Sequence, residues 1–142
     1  MNSKLLVFLQ FAIVALVLIP KATRHACSFW WLFILVSIFV ALWTFRHNRL
    51  GNFNIVPEIR EHARLVTTGP YRYIRHPMYS SLFFGMIGLV CYLSHWLNWL
   101  LLGALVIVLY LKASREEKLW CDHHPDYACY REGTRYFIPF LL

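Results

Sequence analysis

Apolar residues in this chain fall in long unbroken runs rather than in the alternating rhythm of a half-buried surface. Residues 5–20 carry no charge between Lys4 and Lys21, residues 26–45 none between His25 and Arg46, and residues 77–111 none at all. An apolar stretch of about 20 residues, roughly 30 Å long as a helix, crosses the hydrocarbon of a bilayer. The run 77–111 is too long for one crossing, and Ser94, His95 and Asn98 interrupt it near its middle, so it predicts a helical hairpin of 77–93 and 96–111. The pattern therefore predicts an all-α membrane protein with four transmembrane helices. Those at 5–20, 77–93 and 96–111 are somewhat short and need Trp, Tyr, Lys and Arg anchors at the interface.

Composition removes the main competing class. A length of 142 residues is one domain's worth, and the whole chain 1–142 is read as a single membrane unit. Its AVILMFWYC content is 59% and its charged content 15%, against about a quarter charged in soluble domains. A soluble globule is thereby excluded. The first run resembles a secretory signal in having one Lys before it, but Pro20-Lys21-Ala22 offers no small-x-small cleavage pattern, so it is taken as an uncleaved span.

The net charge of +7 takes its meaning from where it lies. Arg46, Arg49, Arg60, Arg64, Arg72 and Arg75 precede the third span, and Lys112, Arg115, Lys118, Arg131 and Arg135 follow the fourth. The Ser94-His95 turn has no Lys or Arg, and the first loop has only Lys21 and Arg24. The positive-inside rule places both basic segments and both termini in the cytoplasm. The basic excess is then topogenic, with some attraction for acidic lipid head groups, and a nucleic-acid partner loses its main support. Cys27 and Cys91 lie near membrane ends and Cys121 and Cys129 in a reducing tail, so the cysteines form no disulfide framework. Cys121, His123, His124 and Cys129 are close in sequence but lack the paired spacing of a tetrahedral site, so no metal is expected.

Two polar segments remain. In the first, residues 54–79, the side chains Ile55, Ile59, Ala63 and Val66 outline a narrow apolar stripe that predicts a short interfacial helix over 58–64. Thr67-Thr68-Gly69-Pro70 ends it, Gly69-Pro70 marks a turn, and Pro77 suits the first turn of the third span. Residues 71–76 then form a compact loop at the membrane surface that gathers Tyr71, Arg72, Tyr73, Arg75 and His76 near Tyr79. An interfacial belt accounts for the Tyr and Arg, but less well for the Gly-Pro turn and Arg75-His76-Pro77. In the second segment no breaker occurs before Pro125, so the fourth helix continues past the membrane. Lys112, Arg115, Glu116 and Leu119 are expected on one face there, with Glu117 turned roughly 100° from Glu116. A solvated face with i,i+4 pairs explains this helix in isolation. Adjacent carboxylates opposite a Tyr/Arg/His loop on the same side of the membrane also suit the holding of a cation.

LVTTGPYRYIRHPMYSS, followed after one hairpin by REEKLWCDHHPDYACYREGTRYFIPFL, resembles the isoprenylcysteine carboxyl methyltransferase and phospholipid methyltransferase superfamily over roughly residues 57–142. The resemblance implies S-adenosylmethionine bound in a cytosolic pocket between the loop before span three and the tail after span four. It implies no soluble Rossmann domain, in keeping with the lack of a G-x-G-x-x-G fingerprint. It also implies cofactor contacts at Leu65, Val66, Tyr71, His76, Pro77, Tyr79 and Glu116. Such residue types suit the ligand: an apolar or aromatic slot for adenine, a carboxylate for ribose hydroxyls, a cation or imidazole for the methionyl carboxylate, aromatic faces for the sulfonium.

The implied acceptor is lipidic or amphipathic, entering laterally between spans three and four, with membrane lipids as partners. For a carboxylate such as isoprenylcysteine, Lys112 or Arg115 is the cation that would orient it; for a lipid amine, Glu117 or a His is the candidate base. The chain departs from the family pattern at Ala63, where a His is usual and His62 lies one place off, at Lys112, where an Arg is usual, and at His124-Pro125, which replaces a Phe-Gly. Two other readings stand beside this one. The C-terminal segment is also similar to that of membrane sterol reductases, which implies NADPH and hydride transfer, although the chain is short for a pocket holding both a dinucleotide and a sterol. A non-catalytic scaffold would need only helix packing, for which Ser81 and Gly85, four apart, are suited.

Overall fold

The structure is a computed structural model that describes residues 2–19, 28–48, 65–124 and 126–137. These form α1 (Ser3–Leu18), α2 (Trp30–His47), a 3-10 turn (Gly69–Arg72), α3 (Pro77–Leu93), α4 (Trp96–His123) and α5 (Tyr127–Glu132). Among the described residues there is no strand beyond an isolated parallel bridge between Ile74 and Arg135, so the all-α expectation holds. The expected interfacial helix at 58–64, the first loop with Lys21 and Arg24, and Pro125 lie outside the described residues.

The hairpin falls where the polar interruption puts it. Pro77 sits in the first turn of α3, where its missing N–H costs nothing. Ser94 ends that helix in the left-handed region at φ 44°, and its N–H bonds to the Val90 carbonyl at 2.8 Å. His95 starts α4 by accepting the Leu97 N–H on Nδ1 at 3.2 Å. With no Gly or Pro between Lys112 and His123 to stop it, α4 runs on to His123, well past the last residue of the apolar run. The other boundaries shift: α1 ends at Leu18 rather than 20, and α2 starts at Trp30 rather than 26 and reaches His47. An apolar run marks what lipid tolerates, whereas helix ends are set by backbone bonds such as Leu32 N–H to the Phe29 carbonyl at 3.2 Å.

α2 packs on α3 and α1 on α4, with α3 and α4 joined as the hairpin. Leu6, Ile13 and Val17 of α1 meet Leu102, Leu105, Val108 and Leu109 of α4, with Met86 and Val90 of α3, in the apolar core. The α2–α3 seam is built from small residues. Ser37 Oγ donates to the Ser81 carbonyl at 2.7 Å and Ser81 Oγ to the Ser37 carbonyl at 2.9 Å. A Cβ on Gly88 would stand 2.9 Å from the Trp30 carbonyl, so only glycine admits this approach. Outer faces are apolar: Phe39 and Leu42 on α2 and Trp96, Leu100 and Ile107 on α4 are exposed. Both α2 and α4 are long and apolar enough to cross a membrane. The foot of α2 meets the polar loop at Gly69, whose φ of +62° and contact with the His47 ring leave no room for a side chain.

Candidate active site

The loop before α3 and the tail after α4 are stitched together by backbone. Arg75 N–H donates to the Arg135 carbonyl at 2.7 Å, Arg135 N–H to the Tyr73 carbonyl at 3.0 Å, and His76 N–H to the Tyr136 carbonyl at 3.1 Å. Ser80 Oγ adds a bond to the Phe137 carbonyl at 2.5 Å, and Tyr130 O–H one to the Tyr71 carbonyl at 2.6 Å. Tyr71 is fixed from its other side by Asn48, whose amide donates to the phenol oxygen at 2.8 Å. Burial pushes the Tyr71 phenol up to about 12 despite that bond, with the Glu116 charge adding to the rise.

Arg75 lies at the centre of this junction and is almost fully buried. Its Nε donates to Glu117 Oε1 at 2.5 Å. Its Nη1 reaches the Arg131 carbonyl at 3.0 Å, the Thr134 carbonyl, and Thr134 Oγ1 at 3.3 Å, while Cζ stands 4.5 Å over the Tyr136 ring. The guanidinium thus neutralises a buried carboxylate and adds a donor to the carbonyls just past the end of α5, of which that of Arg131 also accepts the Thr134 N–H.

His76 bridges the two carboxylates of α4. Its Nε2 is 3.3 Å from Glu117 Oε1 and its Nδ1 3.4 Å from Glu116 Oε2. Only the imidazolium carries a proton on both nitrogens, so only the charged ring can donate to both acids. Burial opposes that charge, but the hydrogen bonds and attraction from Glu116 and Glu117 outweigh it and raise the His76 pKa above its ordinary value. Its ring stacks on Tyr79 at 5.5 Å and on Tyr136 at 6.0 Å between centroids. The Tyr79 hydroxyl donates to Glu116. Lys112 completes the cluster, its Nζ 5.1 Å from the Tyr79 ring centre and 2.6 Å from Gln10 Oε1 on α1.

The structure therefore brings together most of the residues that the sequence singles out. His76, Tyr79, Glu116, Glu117 and Lys112 form one buried cluster; Tyr71 and Pro77 frame it, and Leu65 and Val66 lie half-buried on the approach to the turn. Lys112, Arg115, Glu116 and Leu119 share one face of the unbroken α4, as their spacing requires, and the core lies along one edge of that face. The inner stripe of α4 continues from Leu102, Leu105 and Leu109 through Lys112 and Ala113 to Glu117, and Arg115 falls off it and is exposed. Glu117, roughly 100° round the helix from Glu116 as expected, is buried and held by Arg75. The sequence reading places Arg75 in the loop motif and among the topogenic charges but gives it no role of its own in the site. It also missed Gln10, Tyr130, Thr134 and Tyr136. The tail segment YREGTRYF, which holds all of the last three, was the available signal for them, whereas a single Gln within an apolar run gives little.

An all-helical membrane protein with a buried His/Glu/Tyr cluster between loop and helix is the class these features define. The family model described as phospholipid methyltransferase matches residues 25–124, which contain α2 to α4 and the loop. The chain belongs to that family, whose reaction is methyl transfer to lipid-type substrates. No curated protein gives a significant match.

Proposed function

We propose that the chain transfers the methyl group of S-adenosylmethionine to a lipidic or amphipathic acceptor, in a cytosolic pocket formed by the loop before α3 and by α4 with its tail. The reading is carried by the juxtaposition of His76, Glu116, Glu117 and Tyr79 from two separate polar segments, together with the family match. The residues present fit the cofactor's chemistry. Glu116, only half-buried and steadied by His76, offers a carboxylate for ribose hydroxyls, and the faces of Tyr71 and Tyr79 suit a sulfonium. When bound, S-adenosylmethionine supplies an electrophilic methyl group on sulfur.

The chain's own part is to position the acceptor in line with that methyl and to exclude water, so no covalent enzyme intermediate is required. Lys112 presents a cation on the inner side of α4 for an anionic part of the acceptor. Glu117, engaged by Arg75 and His76, serves as scaffold for the cluster rather than as a free base. In this reading the chain is one membrane domain with four spans, α1, α2, α3 and the first part of α4, and both termini lie in the cytoplasm. Calorimetry on protein in nanodiscs tests it: S-adenosylmethionine, or its demethylated product, should bind and NADPH should not. Tight NADPH binding without the other would replace methyl transfer by hydride transfer.

A further inference from the structure

Gln10 lies in α1, outside the family match, in a helix whose other polar residues, Ser3 and Lys4, are confined to its first turn. An amide within an apolar membrane helix is unfavourable unless another helix supplies its partner. Here that partner is Lys112: Nζ donates to Gln10 Oε1 at 2.6 Å, across 102 positions of sequence. Lys112 is itself buried, and its ammonium stands over Tyr79, whose hydroxyl is bonded to Glu116. The line Gln10, Lys112, Tyr79, Glu116, His76 therefore runs from α1 to the centre of the cluster. α1 thus touches the site through the neutral amide of Gln10.

A neutral acceptor is a particular choice at that place. A carboxylate would tie the ammonium into a charge-assisted pair that an incoming anion must break, and an apolar side chain would leave a buried ammonium without this acceptor. An amide keeps Lys112 solvated by protein and yields to an anionic oxygen, because bonds between ionised partners are the stronger. Resting on the methyl-transfer reading above, we propose that Gln10 is a positioning and specificity-determining residue of the acceptor site. It holds the Lys112 ammonium over Tyr79 until an anionic oxygen of the acceptor, a lipid phosphate or a carboxylate, takes its place. α1 is then a wall of the acceptor chamber rather than an accessory anchor.

The test uses the full chain in phosphatidylcholine nanodiscs, with label in the methyl group of S-adenosylmethionine. One arm adds phosphatidylethanolamine, whose anionic oxygen is a phosphate, and the other an isoprenylated cysteine analogue, whose anionic oxygen is a carboxylate. Gln10→Glu should raise the acceptor KM about tenfold in the productive arm while kcat stays within about twofold. The Kd for S-adenosylmethionine, read by calorimetry, should not move. Gln10→Leu, comfortable in lipid, should also shift KM and spare the Kd. In a Lys112→Met background neither change should alter KM further, which a merely structural role for Gln10 would not produce.

Equal KM effects with and without Lys112 would overturn the proposal, as would KM values within about twofold of wild type in both single variants. Wild type that binds S-adenosylmethionine but methylates neither probe would overturn the anionic-acceptor assignment alone. Failure of the wild type to bind the cofactor would instead bring down the methyl-transfer reading, and this inference with it.

Discussion

Arg75 shows how one side chain can hold two distant chain segments together. Its guanidinium meets Glu117, the carbonyls of Arg131 and Thr134 and the Tyr136 ring, in a place where neither charge of the ion pair reaches solvent. Removing one member of such a pair leaves the other as an uncompensated buried charge. Arg75→Met should therefore cost about 3–5 kcal/mol, whereas the Arg75→Met, Glu117→Met double variant should recover much of that loss. Thermal unfolding in detergent checks both, and equal destabilisation by the single and double changes would contradict the pairing. His76 gives a pH dependence of defined sign. Its pKa is raised in the folded protein from an ordinary value of 6.5, so the imidazolium's contribution to stability is complete below that value and fades as pH rises through the folded one. The stability gap between wild type and His76→Gln should shrink in that direction, and a gap that widens with pH would show that the ring is held neutral. On the proposed reading, His76→Ala and Glu116→Ala should each weaken S-adenosylmethionine binding by about 1–3 kcal/mol with helicity intact by circular dichroism. His76, Tyr79 and both acids were visible in the sequence because they stand in short motifs beside a turn or a helix extension. Arg75 was visible in the Arg75-His76-Pro77 motif but its role was not, since its partners on α5 and in the tail lie more than 50 positions away, the Arg131 and Thr134 bonds spanning 56 and 59.

At the scale of elements, the two glycine environments of the hairpin make opposite forecasts. A Cβ at Gly88 would lie 2.8 Å from the end of Ile34, which can yield, and 2.9 Å from the Trp30 carbonyl, which cannot. Gly88→Ala should then separate α2 from α3 and cost about 1–3 kcal/mol, the usual penalty of overpacking. Gly103 on the exposed side of α4 has nothing within 4 Å of the same added carbon. Gly103→Ala should be neutral or stabilising by up to about 1 kcal/mol through helix propensity. Unfolding of the two variants side by side in one detergent decides the matter, and similar losses from both would mean that the seam does not set the α2–α3 distance. The sequence predicted these helices well because charge-free runs and the Ser94-His95 interruption need no tertiary information. Their pairing was not legible: helices apolar on all sides give no face to match, and α1 with α4 or α2 with α3 is decided by side-chain detail such as Ser37 against Ser81. Beyond Leu111, spacing puts Lys112, Arg115, Glu116 and Leu119 on one face but does not say which edge of it meets the core, and that edge is the one that continues the stripe through Lys112, Ala113 and Glu117.

At the scale of the whole molecule, contacts and charge point to the same orientation. The foot of α2, the loop, the far part of α4 and the tail meet at one end of the bundle, joined by His47 against Gly69 and by the Arg75 and Arg135 backbone bonds. The turn at Ser94 lies at the other end of α3, a helix of 17 residues and so roughly 25 Å away. Arg46, Arg72, Arg75, Lys118, Arg131 and Arg135 all belong to the first end, and Ser94 and His95 bring no Lys or Arg to the second. A bilayer that retains Lys and Arg on the cytoplasmic side would therefore set the polar cluster in the cytoplasm, where a soluble cofactor can reach it. Cys121 and Cys129 are exposed on the tail side, and Cys91 is buried near the other end of α3. In intact cells carrying the protein with Cys27 and Cys91 replaced by Ala, a membrane-impermeant maleimide should leave Cys121 and Cys129 unlabelled until the membrane is opened. A cysteine introduced by Ser94→Cys should label from outside at once, and one at Asn54 should behave like the tail. Labelling of Ser94→Cys and of the tail from the same side would break the hairpin topology. Asn54 and the tail on opposite sides would remove the loop from the site, and with it the cytosolic pocket on which the proposed chemistry depends.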